Sequence, residues 1–266
     1  MEYAGRDKVH LINRISHSDK KFIKPIKYPW LVAVWRRNPN AHGHGAWTYA
    51  RNNWFCGGTI IASKFVITAA HCLYDSTSTW NGMDWNGVIT KILTADEVGV
   101  RIGDYDLKKE YYPQSGNTGE TGREKFIKVK TIHNHPDWVV PGVGTSWSDY
   151  EVNYDVAILE LAEEIDLEEH TPACIARDID GTTFNGRSLT AVGWGYKEWN
   201  PPAYPVVHDP NKDEPYEVNL DVDENCELSK RPSEMCVGTY QDGKGLCKVR
   251  CNLTHILSRF KTKFCR

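Results

Sequence analysis

The hydrophobic positions of the chain fall into short runs that are rich in valine, isoleucine and aromatic residues. Polar positions alternate with them in several runs, and turn-forming residues lie between the runs. This pattern is typical of β-strands joined by turns and loops. It predicts strands at 29–35, 59–61, 65–67, 98–102, 126–132, 156–161, 189–195 and 218–222. We therefore predict an all-β protein, with a short amphipathic helix at 252–263 as the exception.

Residues 55–72 predict a β-hairpin that carries a candidate catalytic side chain. Two apolar strands are separated by a tight turn at 62–64, and His71 follows the second strand. Cys56 and Cys72 bracket the hairpin, and a disulfide between them would fix the backbone of His71 against the sheet. A fixed imidazole suits a general base, whereas a satisfied core histidine is the alternative interpretation.

Asp155 lies directly before the apolar strand at 156–161, where a solvated charge is unexpected. Because buried carboxylates need partners, we expect Asp155 to pair with the ring of His71. An ionised aspartate in this place would accept the far N–H of the imidazole and stabilise the imidazolium. A simple turn residue is the alternative interpretation of Asp155.

Composition and charge exclude several classes of protein. The 266 residues carry a formal net charge of -3, which offers no basic footprint for nucleic acid and no attraction to an anionic membrane. No apolar run approaches the ~18 residues of a membrane span. The 8 cysteines lack the spacing of a zinc site and favour an oxidising compartment. Residues 1–27 nevertheless hold no apolar signal segment, so either an export signal lies upstream or the chain is not exported.

Several motifs resemble those of the trypsin-like serine proteases. The sequence Thr-Ala-Ala-His-Cys at 68–72, which follows a Cys-Gly-Gly strand, is similar to the histidine motif of that family. The Pro-Trp strand at 29–35, the strand led by aspartate at 155–161 and the Gly-Trp-Gly turn at 193–195 are similar to further elements of the family. The resemblance implies two antiparallel β-barrels with a cleft between them.

The resemblance also implies a division of the chain. Residues 1–27 would be a pro-like activation segment, and 28–266 would be the peptidase domain. Its first barrel would span about 28–165, and an incomplete second barrel about 166–266. Family members are zymogens, activated by a cut after a basic residue that frees an Ile-Val-Gly-Gly terminus. The most similar stretch here, Arg-Ile-Ser-His-Ser at 14–18, has neither glycine.

By the same resemblance, His71 would be the general base and Asp155 the group that orients it. Gly245 would lie at the floor of the specificity pocket. A glycine there argues against an acidic floor, so cleavage after apolar or small residues is favoured over cleavage after Arg or Lys.

The cysteines match the family in part. The resemblance implies disulfides between Cys56 and Cys72 and between Cys226 and Cys236. Cys174 stands where many relatives tether an activation propeptide, but no cysteine precedes Cys56 in this sequence. We therefore expect Cys174 to be unpaired, or paired with a segment that the chain lacks.

Metal-binding interpretations are available but are not favoured. His42 and His44 lie in a polar loop that explains them without a metal. His133 and His135 belong to a His-Asn-His-Pro sequence, and the family carries a structural His-Pro turn at this place. Asp104 matches an acidic ligand of calcium-binding relatives, but its second ligand cannot be identified. We predict no metal and no cofactor.

The resemblance ends after residue 248. Residues 243–248 match the run that leads to the Gly-Asp-Ser-Gly-Gly nucleophile loop of the family, but Val-Arg-Cys-Asn-Leu-Thr follows at 249–254. The nucleophilic serine is absent from the sequence, together with the N–H groups that would bind an oxyanion. Ser229 and Ser258 lack flanking glycines, and nothing places them near His71. We therefore predict a truncated family member that is inactive as written.

Three hypotheses of function follow. The first is a secreted serine-type endopeptidase that acts on proteins or peptides by a Ser-His-Asp triad, of which this chain supplies two members. The alternative is a secreted non-catalytic homologue that binds protein partners through loops around Trp47, Trp80 and Trp147. The third is a degraded product without activity. The resemblance implies an extracellular location, and neither nucleic acid nor a membrane is expected as a partner.

Overall fold

The computed structural model describes residues 10–11, 21–22, 27–37, 54–77, 88–107, 123–139, 142–145, 154–175, 184, 186–194 and 214–222. The strands in chain order are β1 (His10–Leu11), β2 (Lys21–Phe22), β3 (Leu31–Arg36), β4 (Trp54–Ala62), β5 (Phe65–Thr68), β6 (Tyr74–Thr77), β7 (Val88–Ile92), β8 (Val98–Ile102), β9 (Lys125–Asn134), β10 (Ala157–Leu161), β11 (Ser188–Gly193) and β12 (Tyr216–Asp221). Two short 3₁₀ turns lie at Ala70–Leu73 and Ala95–Glu97.

Six strands close into a barrel in the order β10-β5-β4-β3-β8-β9. All neighbouring strands of this barrel are antiparallel. In β10, the side chains of Ala157, Leu159 and Leu161 are buried, and those between them are half-exposed. This alternation is typical of a strand with one face on the core, whereas the sequence analysis predicted the strand from its apolar run. The all-β prediction is confirmed.

The barrel interior is a continuous aliphatic core. The fully buried side chains within it include Val34, Ile60, Val66, Val100, Ile127 and Leu159. Removing one such side chain from water contributes about 1.5–3 kcal/mol to the free energy of unfolding. This core is the rigid support on which β4, β5 and β10 present their ends.

A second sheet has the order β1-β11-β12-β2. β11 and β12 are antiparallel, β1 pairs with the outer edge of β11 in parallel, and β2 pairs with β12 in antiparallel fashion. The two-residue strands β1 and β2 thus cover the edges that β11 and β12 would otherwise present to other chains. Both lie in the segment 1–27, which the sequence analysis interpreted as an activation segment.

The second sheet packs on the outer face of the barrel. A cluster of buried side chains joins β3 to β11, and its members are Tyr28, Leu31, Ala33, Trp35, Leu107, Val192 and Trp194. Because of this layer, β3 is buried along almost its whole length. The indole Nε1–H of Trp194 also donates a hydrogen bond of 2.9 Å to the carbonyl of Tyr105.

A third, two-stranded sheet is formed by β6 and β7. The sequence analysis did not predict it, because β6 reads Tyr-Asp-Ser-Thr and carries no apolar alternation. Among the described residues, no helix is long and apolar enough to cross a membrane. The predicted helix at 252–263 lies outside the described residues.

Candidate active site

The position of His71 is set by the hairpin of β4 and β5. After β5 ends, Ala69 is extended, and the 3₁₀ turn Ala70–Leu73 reverses the chain. Cys72 in this turn forms a disulfide with Cys56 on β4, with the two Cα atoms 6.1 Å apart. The flanks of the turn are buried, while 19% of the His71 side chain is exposed. The predicted disulfide is therefore present, and it holds His71 at the end of the barrel with its ring partly open to solvent.

Asp155 reaches the same place from the neighbouring strand. It lies two residues before Ala157, the first residue of β10, which pairs with Thr68 at the end of β5. Asp155 is buried, at 2% exposure. Its Oδ1 accepts a hydrogen bond of 2.8 Å from the backbone N–H of His71, and its Oδ2 lies 2.6 Å from His71 Nδ1. The predicted pair is thus formed, and its two contacts fix both the backbone and the ring of His71.

This geometry defines the proton positions of the His71 ring. An ionised carboxylate only accepts hydrogen bonds, so the contact of 2.6 Å requires the proton on Nδ1. In the neutral ring the lone pair then lies on Nε2, on the side away from Asp155. If Nε2 takes up a proton, the buried carboxylate stabilises the resulting imidazolium. The pair is therefore built to accept and return a proton at Nε2.

The sulfur atoms beside His71 do not offer a metal site. Among the described residues, Cys56, His71 and Cys72 are the group whose potential ligand atoms lie within 4.8 Å of one another. The two sulfurs are joined to each other in the disulfide, so neither is present as a thiolate.

Asp104, the candidate calcium ligand, lies at the end of β8 in a buried ion pair. Its Oδ2 is 2.6 Å from the Nη2 of Arg101, and both side chains are almost fully buried. Burial raises the pKa of Asp104 to about 6, against the opposing effect of the Arg101 charge; the carboxylates of Glu124 and Asp106 raise it further. The Asp104 carboxylate is thus paired with the Arg101 guanidinium. The calcium interpretation of Asp104 did not consider this partner.

Cys174 corrects one expectation. It is disulfide-bonded. The bond is to another cysteine of this chain. The expectation that Cys174 is unpaired, or paired with a segment that the chain lacks, is therefore wrong.

The remaining predicted site residues lie outside the part of the chain that the structure describes. They are Gly245 and the cysteines Cys226 and Cys236, together with Trp47, Trp80 and Trp147 of the proposed binding loops. Their roles stay predictions.

Comparison with known proteins agrees with the all-β barrel fold. The family model for trypsin matches residues 23–88 and 87–248. Serine protease ea of Drosophila melanogaster is 27% identical over 197 residues, which are 71% of this chain and 42% of that protein. Chymotrypsin-like elastase family member 1 of Bos taurus is 26% identical over 151 residues, or 56% of this chain and 43% of that protein.

Relatives that are named as inactive are also similar to the chain. Inactive serine protease PAMR1 of Bos taurus is 27% identical over 175 residues, which are 63% of this chain and 20% of that protein. The chain therefore spans less than half the length of each of these three relatives. Since the family model covers most of the chain and the hairpin, barrel and acid–histidine pair are in place, the chain belongs to the trypsin family of serine proteases.

Proposed function

We propose that the chain carries the general base of a serine-type endopeptidase, and that it does not hydrolyse peptide bonds as printed. The observation that supports the first part is the pair of contacts from Asp155 to His71, of 2.6 Å to the ring and 2.8 Å to the backbone. The second part rests on the sequence, which contains no Gly-Asp-Ser-Gly-Gly loop.

The roles in the proposed reaction follow from the geometry of the pair. His71 Nε2 would take the proton of a serine hydroxyl as that oxygen attacks a peptide carbonyl, and would then return the proton to the leaving amine. Asp155 would keep the ring proton on Nδ1 and stabilise the imidazolium. This division of labour is the general template of the family to which the chain belongs. Without a nucleophile and an oxyanion site, these two residues alone supply no peptidase activity.

Substrate class and location are further parts of the proposal. Relatives named as serine proteases support protein or peptide substrates, and Gly245 favours apolar or small residues before the cleaved bond. The Cys56–Cys72 disulfide supports an oxidising, extracellular environment.

A second candidate function is a secreted, non-catalytic homologue that binds protein partners. The observation that favours it is the similarity to a protein named Inactive serine protease PAMR1, together with the missing nucleophile motif. In this case the barrel would serve as a scaffold, and the His71–Asp155 pair would contribute to stability alone.

Two measurements on three samples test the proposal. The chain as printed and its His71→Ala variant are assayed with casein and with fluorogenic peptides, and the endogenous protein is treated with a fluorophosphonate probe that labels activated serines. We expect equal, background hydrolysis by the two recombinant proteins, and a labelled serine in an endogenous protein larger than the printed sequence.

Other results would redirect the conclusion. Hydrolysis by the printed chain that disappears in His71→Ala would show that the chain has a nucleophile, contrary to the proposal. An unlabelled endogenous protein with the mass of the printed sequence would replace the endopeptidase by the binding homologue.

A further inference from the structure

The residue before Asp155 has an unusual backbone conformation. Among the described residues other than glycine, Tyr154 has a positive φ, of 55°. An aromatic residue in this left-handed region is unfavourable because its Cβ crowds the following carbonyl group. Such a conformation persists only where the surroundings hold it, and here it immediately precedes the carboxylate that contacts His71.

The ring of Tyr154 contacts the ring of His135. The two rings are stacked, with centroids 4.7 Å apart and planes inclined by 10°. Tyr154 is half-buried. The stack joins the end of β9 to the residue that leads into Asp155.

His135 is itself fixed by three backbone contacts. Its N–H donates to the carbonyl of Val156 at 2.9 Å, and its own carbonyl accepts the N–H of Trp138 at 2.9 Å. Its Nδ1 accepts the N–H of Asp137 at 3.1 Å. The buried indole of Trp138 is anchored in turn by a hydrogen bond from Nε1 to the Tyr74 hydroxyl. Both the backbone and the ring of His135 are therefore held in place by hydrogen bonds.

The chain between Tyr154 and β10 has little freedom once the stack is in place. The N–H of Val156 donates to the carbonyl of Tyr154 at 2.6 Å, across Asp155. The carbonyl of Val156 accepts a hydrogen bond from the N–H of His135. The residues on both sides of Asp155 therefore contact His135, Val156 through this bond and Tyr154 through the ring stack. The backbone on both sides of Asp155 is thus held by groups outside the acid–histidine pair.

We propose that Tyr154 and His135 are positioning residues for the active site: their stack holds the left-handed backbone at Tyr154 and thereby keeps the Asp155 carboxylate on both donors of His71. This inference rests on the proposed function, because it assigns two more residues to the same site. Both residues act through Asp155. The sequence analysis assigned His135 to a structural turn and did not single out Tyr154.

The test measures the acid–histidine pair directly, so that it does not depend on peptidase activity. NMR of the full printed chain reports two signals, the exchange rate of the His71 backbone amide and the Nδ1–H proton of the His71 ring. The amide of Leu161, which donates to the Lys64 carbonyl at the other end of β10, is the internal reference for overall stability. The variants are Tyr154→Ala and His135→Ala, with Tyr154→Phe as the matched control that keeps the ring.

We expect Tyr154→Ala and His135→Ala each to speed His71 amide exchange by about tenfold and to weaken the Nδ1–H signal, with the Leu161 amide unchanged. Tyr154→Phe should behave as the wild type. The double variant should exchange no faster than either single variant, because both remove the same contact. Wild-type exchange in the two alanine variants, or additive effects in the double variant, would overturn the proposal.

A variant that relieves the backbone strain covers the case in which Tyr154→Ala fails to fold. Tyr154→Gly accepts the positive φ without a Cβ, so it folds while it lacks the ring. Because glycine takes the left-handed conformation without strain, the proposal requires slower His71 amide exchange in the double variant Tyr154→Gly/His135→Ala than in His135→Ala alone, and equal exchange rates in these two variants would refute it. Because no nucleophile is involved, this result stands whether or not the endogenous protein proves to be an endopeptidase.

Discussion

Two buried aspartates illustrate how neighbours decide what a carboxylate does. Asp155 accepts two hydrogen bonds from His71 and directs its ring. Asp104 is paired with Arg101, but Glu124 and Asp106 place further negative charge near it. Burial is the main reason that the pKa of Asp104 rises to about 6. The first carboxylate serves the active site, whereas the second makes the stability of the fold depend on pH.

The pH prediction follows from the raised pKa of Asp104. Between pH of about 4 and about 6 the native state holds a proton on Asp104 that the unfolded state has lost, so the free energy of unfolding falls as pH rises. Over this window we expect the wild type to lose about 3 kcal/mol more than the Asp104→Asn variant. Urea unfolding at a series of pH values measures both proteins. Comparing the two slopes removes the constant cost of breaking the Arg101 ion pair.

Asp96→Asn is the matched control for this prediction. The pKa of Asp96 is lowered, chiefly by a hydrogen bond from Thr94, and its carboxylate is exposed. A lowered pKa affects stability only below pH of about 4, so this variant should keep the wild-type slope between pH 4 and 6. Equal slopes for the wild type and Asp104→Asn would contradict the assignment to Asp104.

At the scale of elements, the turn after β8 depends on a glycine for two separate reasons. Gly103 has φ of 69°, and a Cβ there would lie 2.4 Å from the carbonyl oxygen of Arg123. The backbone of the turn and the chain that enters β9 therefore approach each other too closely for any side chain. This contact also sets the place of Asp104, the next residue.

Gly103→Ala and Gly144→Ala separate the cost of the positive φ from the cost of the close contact with Arg123. Gly144 also has a positive φ, of 93°, but a Cβ there meets nothing within 4 Å. Strain alone should lower the free energy of unfolding of Gly144→Ala by about 1 kcal/mol. Gly103→Ala adds the overlap with Arg123, and we expect a loss of about 3 kcal/mol. Urea denaturation of both variants measures the difference, and equal losses would show that the contact has no cost.

The elements differ in how far the sequence predicts them. β3, β4, β5, β8, β9 and β10 are predictable because each contains a short apolar or alternating run that is typical of a β-strand. β1 and β2 are two residues long, so their pairing depends on β11 and β12 rather than on local pattern. The contact of Asp155 with His71 is predictable from motifs. The stack of Tyr154 on His135 is not, because a backbone with positive φ at a tyrosine leaves no signal in the residue types.

For the whole molecule, the described contact between barrel and second sheet is centred on Trp194. Its indole is buried in the cluster with Trp35 and Val192, and its N–H donates to the carbonyl of Tyr105 in the turn after β8. The side chain thus combines a large apolar area with one directional bond. If this contact couples the two units, removing it should loosen the sheet before the barrel.

Two substitutions at Trp194 test this coupling. Trp194→Phe keeps an aromatic ring but loses the donor to Tyr105, which should cost about 1 kcal/mol. Trp194→Ala also leaves a cavity and should cost about 3–5 kcal/mol. Hydrogen exchange then compares the amide of Val222, which donates to Arg187 beside the second sheet, with that of Leu161 in the barrel. We expect Trp194→Ala to speed exchange at Val222 far more than at Leu161. Equal acceleration at both amides would instead mean that barrel and sheet unfold as one cooperative unit. In that case the lower free energy of unfolding of Trp194→Ala would speed every amide that exchanges through global unfolding.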